Sequence, residues 1–109
     1  MDSQMALNNK LVLITGAALR VGRELALTVA RAGGDVVIHF GHSQAEAHSL
    51  REEIQALGRQ AYLLQADLSD PEEVKRLIPR AFEYEPLFGL VNNAAIFETL
   101  SWQSTTPPL

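Results

Sequence analysis

Two glycines and an arginine within eight residues are where chemistry can begin in this chain. Residues 11–22 read Leu-Val-Leu-Ile-Thr-Gly-Ala-Ala-Leu-Arg-Val-Gly. The apolar run stops at Gly16, and helical spacing begins near Gly22. Gly16 can take the positive φ of a tight strand-to-helix turn, and Gly22, having no Cβ, leaves room for an anion to approach the N–H groups and positive dipole end of a starting helix. Such a turn suits the pyrophosphate of a dinucleotide. The spacing is G-x5-G, so the stricter G-x-G-x-x-G pattern is absent and an ordinary strand-to-helix turn stays open. Arg20 lies between the glycines, where its guanidinium either clamps phosphate oxygens or a substrate edge, or is simply a solvated first-turn arginine.

Three further clusters carry polar groups to segment ends. His39-Phe40-Gly41-His42-Ser43 closes the second apolar run with no carboxylate before Glu46. An acid there would receive a ribose 2′-OH. Its absence disfavours NAD, and His39, His42 and Ser43 as donors to a 2′-phosphate favour NADP. Against this, His39 can merely end a strand and Ser43 merely cap a helix, and no Arg or Lys occurs between Arg31 and Arg51. Asp67, with the Leu68 N–H, can receive an adenine ring or serve the turn that follows. Asn92-Asn93-Ala94-Ala95 joins amides to small residues that allow close backbone approach, and Phe97 offers either a stacking face or a core side chain.

These clusters need a scaffold that brings segment ends together. Apolar runs at Leu11 to Ile14, Val36 to Phe40, Ala61 to Ala66 and Phe88 to Val91 are short and nearly continuous, as in parallel strands buried on both faces. Between them, Val21, Leu25, Val29 and Ala32, then Ala47, Leu50, Ile54 and Leu57, then Val74, Leu77, Ile78, Ala81 and Phe82 recur at helical spacing. Gly33-Gly34 and Gly58 suit helix C-caps, Ser43 suits the N-cap of the second helix, and Asp70-Pro71-Glu72-Glu73 suits the start of the third. Pro79 should kink or split that third helix. The alternation predicts an α/β, Rossmann-like, doubly wound parallel sheet of four strands in the order 3-2-1-4 with helices on both faces. Its ligand crevice lies at the switch point beyond the strand ends. Residues 1–109 read as one dinucleotide-binding domain cut at its carboxyl end, leaving strand four as an apolar edge prone to aggregation.

Composition narrows the classes. With 47% hydrophobic residues and a net charge of -4, the chain is that of a globular domain rather than a disordered one. Acidic residues outnumber basic ones 13 to 9 with no basic cluster, which argues against nucleic acid. The absence of cysteine excludes disulfides and thiolate metal sites, and no metal site is expected. No basic leader or membrane-length apolar run occurs, so a cytoplasmic protein off the membrane is expected.

Together, Thr15-Gly16-x-x-x-Arg20-x-Gly22, Asp67-Leu68 and Asn92-Asn93-Ala94-Ala95 resemble the amino-terminal half of a short-chain dehydrogenase/reductase. Arg20 in place of the family's usual middle glycine, with His39 to Ser43 and Phe97, is most similar to the pteridine reductase and dihydromonapterin reductase branch. The resemblance implies NADPH-dependent hydride transfer to a C=N or C=O bond of a small molecule, a pterin-like ring in particular, by a full-length homo-oligomer. It implies cofactor contacts from Thr15, Gly16, Arg20, Val21, Gly22, His39, His42, Ser43, Asp67, Leu68, Asn93, Ala94 and Ala95, and substrate contacts from Arg20 and Phe97. His42 stands where the branch tends to have arginine, and Ala95 where serine or glycine is more common. The family's catalytic Ser and Tyr-x-x-x-Lys have no counterpart here: neither Tyr62 nor Tyr84 has a lysine four residues later. No catalytic residue is assigned, and the chain by itself is expected to be silent. A nucleotide-binding module without chemistry, or an inert fragment, is the alternative.

Overall fold

The computed structural model describes residues 6–94. In chain order it contains β1 (Leu11–Ile14), α1 (Arg20–Arg31), β2 (Asp35–Phe40), α2 (Gln44–Ala56), β3 (Ala61–Gln65), α3 (Pro71–Phe82) and β4 (Leu87–Val91). All neighbouring strands pair in parallel, in the order β3-β2-β1-β4. The doubly wound, Rossmann-like arrangement is therefore the one expected.

Strand alternation divides the core between two faces. Val12, Ile14, Val36 and Ile38 point to one side, where they pack with Ala26, Leu27 and Ala30 of α1 and Leu50 and Ile54 of α2. Leu11, Leu13, Val37 and Leu64 point to the other, against Leu77 and Ala81 of α3. Every residue of β1 and β2 is buried in consequence. β3 and β4 depart from the expected double burial. Among the described residues each has a strand neighbour on one side only, and in β4 Phe88 is 59% and Leu90 47% exposed. The β1–β4 register skips between Leu11↔Leu87 and Val12↔Gly89, which leaves Phe88 outside the pairing, its ring under the Lys10 ammonium at 5.1 Å.

The helix punctuation follows the sequence with two exceptions. Gly33 and Gly58 take φ of 90° and 84° after α1 and α2, and Asp70 caps α3 by accepting from the Glu72 N–H at 2.9 Å ahead of Pro71. Ser43 occupies the N-cap position of α2, but its hydroxyl makes no capping bond. Pro79 does not split α3, which runs on to Phe82. The N–H that proline lacks would have bonded the carbonyl of Lys75, an exposed residue, where water can replace it.

At the opposite rim from the strand carboxyl ends, buried Asp35 is held by Arg59. Its Oδ1 accepts from Arg59 Nη2 at 3.0 Å, Arg59 Nε at 3.2 Å and the Gln60 N–H at 3.0 Å. Removing Arg59 leaves a desolvated carboxylate with one donor. Arg59→Ala should cost roughly 2–4 kcal/mol in urea unfolding, whereas Lys75→Ala, which breaks the exposed pair with Glu72, should cost under about 0.5 kcal/mol. Equal losses would show that Asp35 is not held as described.

Candidate functional site

The strand carboxyl ends meet at one rim, and three side chains lace them together. Thr15 ends β1. Its Oγ accepts from the Asn93 N–H at 2.8 Å and the Ala94 N–H at 3.0 Å, and its hydroxyl bonds Asn92 Oδ1 at 3.1 Å. Asn93 returns the connection, its Nδ2 donating to the Gly16 carbonyl at 3.2 Å. Thr15 is buried and committed to the tail of β4, so it positions the turn and presents no free hydroxyl to a ligand.

Gly16 has the positive φ expected, 63°. Gly22 serves another purpose than the one expected. It is buried, and a Cβ on it would collide with the Gly16 carbonyl oxygen and come within 2.5 Å of Asn93 Nδ2. Its missing side chain admits the turn and the β4 tail against α1, and does not make space for phosphate.

His39 is also corrected by the structure. Its ring is 3% exposed; Nδ1 accepts from the Gly16 N–H at 2.9 Å, and Nε2 lies 3.0 Å from the Ala66 carbonyl. An acceptor at Nδ1 requires the proton on Nε2, which then donates to Ala66. With both nitrogens used, the neutral ring joins the ends of β1, β2 and β3 and has no donor left for a phosphate. Burial lowers its pKa, the Ala66 bond opposes that shift, and Arg80 adds to it.

Arg20 opens α1 with φ 55°, a left-handed conformation that glycine adopts without strain. The helix has no side-chain cap and no acid in its first turn, so its leading N–H groups and dipole face outward uncompensated. They face a cleft of about 650 Å3. Of the residues selected from sequence, the cleft gathers Gly16, Arg20 and Val21 from the turn, His39 and His42 after β2, Asp67 and Leu68 after β3, and Asn93 and Ala94 after β4. Thr15 and Gly22 lie behind its wall. Ser43 lines a small recess beside it, with Gly16 and Phe40. Ala95 and Phe97 lie outside the described residues.

Asp67 is both turn former and wall. Its Oδ1 accepts from the Ser69 hydroxyl at 2.6 Å and the Ser69 N–H at 2.9 Å, and its own N–H donates to Glu73 Oε1 at 2.7 Å. The Ser69 hydroxyl, then its amide, hold the Asp67 carboxyl below its ordinary pKa, with a smaller contribution from nearby His42. Sequence reasoning missed Arg76 and Arg80, which α3 brings beside His42 and Asp67 in an adjoining cleft of about 390 Å3. The signal was the complement of the apolar stripe of α3: Glu73, Arg76 and Arg80 share one helical face.

The sequence pattern of the short chain dehydrogenase family matches residues 10–107. The chain belongs to the short chain dehydrogenase family. Its relatives include an L-rhamnose 1-dehydrogenase (NAD(P)(+)) of a Sphingomonas species, 37% identical over 91 residues that cover 83% of this chain and 36% of the relative. A hydroxynaphthalene reductase of Aspergillus fumigatus is 42% identical over 106 residues, covering 94% of this chain and 38% of the relative. The chain thus spans a little over a third of the length of these relatives. Among solved structures, the FolM alternative dihydrofolate reductase 1 of Brucella canis, complexed with NADP, superposes with a TM-score of 0.74 at 34% identity, over 82% of this chain and 36% of the other. The two tyrosines of the chain stand apart from the cleft. Tyr62 stacks on Tyr84 with centroids 4.4 Å apart and donates to Glu85 at 2.8 Å; burial, then Glu85, push its pKa up to about 12.

Two outcomes test this geometry. Gly22→Ala should destabilise the chain by about 1–3 kcal/mol through overpacking, read as a lowered urea midpoint. For His39, a folded-state pKa below the unfolded value of 6.5 means that the unfolded chain takes up the proton first. Its contribution is present in full above that pH and is lost as pH falls below it. His39→Gln keeps a donor and an acceptor without titrating, so its urea midpoint should decline less on acidification than that of the parent. Parallel declines would contradict a buried neutral imidazole.

Proposed function

We propose that this chain provides the cofactor-binding part of an NADP(H)-dependent oxidoreductase that exchanges hydride with a C=N or C=O bond of a small molecule, a pteridine being the substrate class favoured. One observation carries the reading: the uncapped start of α1 and the Arg20 guanidinium open onto a cleft shared by the ends of all four strands. Anions bind where unpaired N–H groups and a helix dipole converge, and ligands of doubly wound sheets bind at the switch point, here between β1 and β4.

The residues present fit a dinucleotide. Gly16 turns the chain at a φ of 63°, packed against Ala94 too closely for a Cβ, and lines the cleft beside Arg20 and Val21 of the α1 start. The amides of the α1 start and Arg20 would hold the pyrophosphate, while Asp67 and Leu68 would border the adenine. The absence of a carboxylate after β2 favours a ribose 2′-phosphate over a free 2′-OH. His39 supports this site by fixing Gly16 and Ala66. The NADP complex of the Brucella canis relative, named for a dihydrofolate reductase, supports both the cofactor and the pteridine class. When bound, the cofactor supplies the hydride. Neither tyrosine lines the cleft, so neither is placed to pass the accompanying proton there.

Titration followed by cofactor fluorescence tests the reading. NADPH should bind more tightly than NADH, and the chain alone should turn over neither a dihydropterin nor a simple carbonyl. Arg20→Gly should weaken NADPH binding by about tenfold, the worth of one charge-assisted hydrogen bond, while raising stability by about 0.5–1 kcal/mol as the left-handed residue becomes glycine. Equal affinity for the two cofactors, or no binding of either, would overturn it.

A further inference from the structure

The smaller cleft at the β2–β3 rim has no role in the site as described so far. It shares Gly41, His42 and Asp67 with the larger cleft and is completed by Glu73, Arg76 and Arg80 of α3. The position of a Cβ on Gly41 has no atom within 4 Å, so the wall that the two clefts share is low there. Both carboxylates are held by hydrogen-bond donors: Glu73 Oε1 by the Asp67 N–H and Asp67 Oδ1 by Ser69. Arg80 is fixed, its Nη1 donating to the Gln65 carbonyl at 3.1 Å, and Gln65 Nε2 is bonded to the Gly41 carbonyl at 2.9 Å. Arg76 differs. It lines the cavity, yet it makes no salt bridge and no side-chain hydrogen bond among the described residues.

We propose that Arg76, backed by Arg80, determines cofactor specificity by receiving the 2′-phosphate of NADP(H) in this smaller cleft. The inference rests on the cofactor reading above and extends it to residues that no motif marks. With the pyrophosphate at the α1 start, Asp67 and Leu68 would border the adenosine end of the dinucleotide, and Gly41, His42 and Asp67, common to both clefts, put Arg76 and Arg80 next to that end. The group that separates NADP from NAD is a phosphate monoester on that ribose, which calls for cations with planar, paired donors. The loop after β2 contains no arginine or lysine. The guanidinium groups of α3 supply from across the rim what that loop lacks.

Adenosine 2′,5′-bisphosphate and 5′-AMP differ by this phosphate alone and do not span the pyrophosphate turn, so their binding to the intact chain, measured by calorimetry, isolates the claim. The parent chain should prefer the bisphosphate. Arg76→Gln should lower bisphosphate affinity by about tenfold or more and leave 5′-AMP within about twofold. Lys75→Gln removes the same charge one residue away, outside the cleft, and should change neither. The inference is overturned if Arg76→Gln leaves the preference intact, weakens both ligands alike, or is matched by Lys75→Gln. A parent chain with no preference for the bisphosphate would instead sink the NADP reading itself, and this proposal with it.

Discussion

A parallel sheet ends in a row of strand termini whose backbone groups the sheet no longer pairs, and the whole site depends on how that row is closed. Thr15 accepts from two amides of the β4 tail, Asn93 reaches back to Gly16, and His39 spans from the Gly16 N–H to the Ala66 carbonyl. Each bond joins segments far apart in sequence. Gly22 completes the closure by letting α1 approach until no side chain fits between them. Groups buried this way must be paired, and their pairing fixes the turn to which a phosphate would be offered. Thr15 and Gly22 therefore act behind the cleft and His39 ties its wall together, while Arg20, Val21 and Asp67 form its face.

Electrostatics follow from the same layout. The chain carries a net charge of -4, yet the cleft collects the positive start of α1 and Arg20, and α3 adds Arg76 and Arg80 next door. Overall charge says little about a site whose sign is set by one helix end and a few side chains. The acids nearby, Asp67 and Glu73, are bound to Ser69 and to the Asp67 amide and so serve to shape the loop after β3.

Much of the fold was legible in sequence because the two periodicities are unambiguous where burial is complete. β1 and β2 are continuous apolar runs under helices on both faces, and glycines with positive φ stop α1 and α2 as expected. Legibility failed where a residue's role depends on a partner distant in sequence. His39 has the chemistry of a phosphate donor, but its two nitrogens meet Gly16 and Ala66, which only the folded rim brings near. Gly22 looked like room for a ligand and is room for Asn93. Arg76 and Arg80 went unmarked because nothing local shows that this helix face overlooks the end of β3. Pro79 left α3 unbroken because the hydrogen bond it forfeits lies on the water side.

The bond between Thr15 and Asn93 spans 78 positions of the chain. During synthesis, β1 and the start of α1 leave the ribosome long before the segment that fixes the turn between them. A nascent chain can assemble β1, β2 and their helices early, but the phosphate turn stays unlatched until Ala94 has emerged.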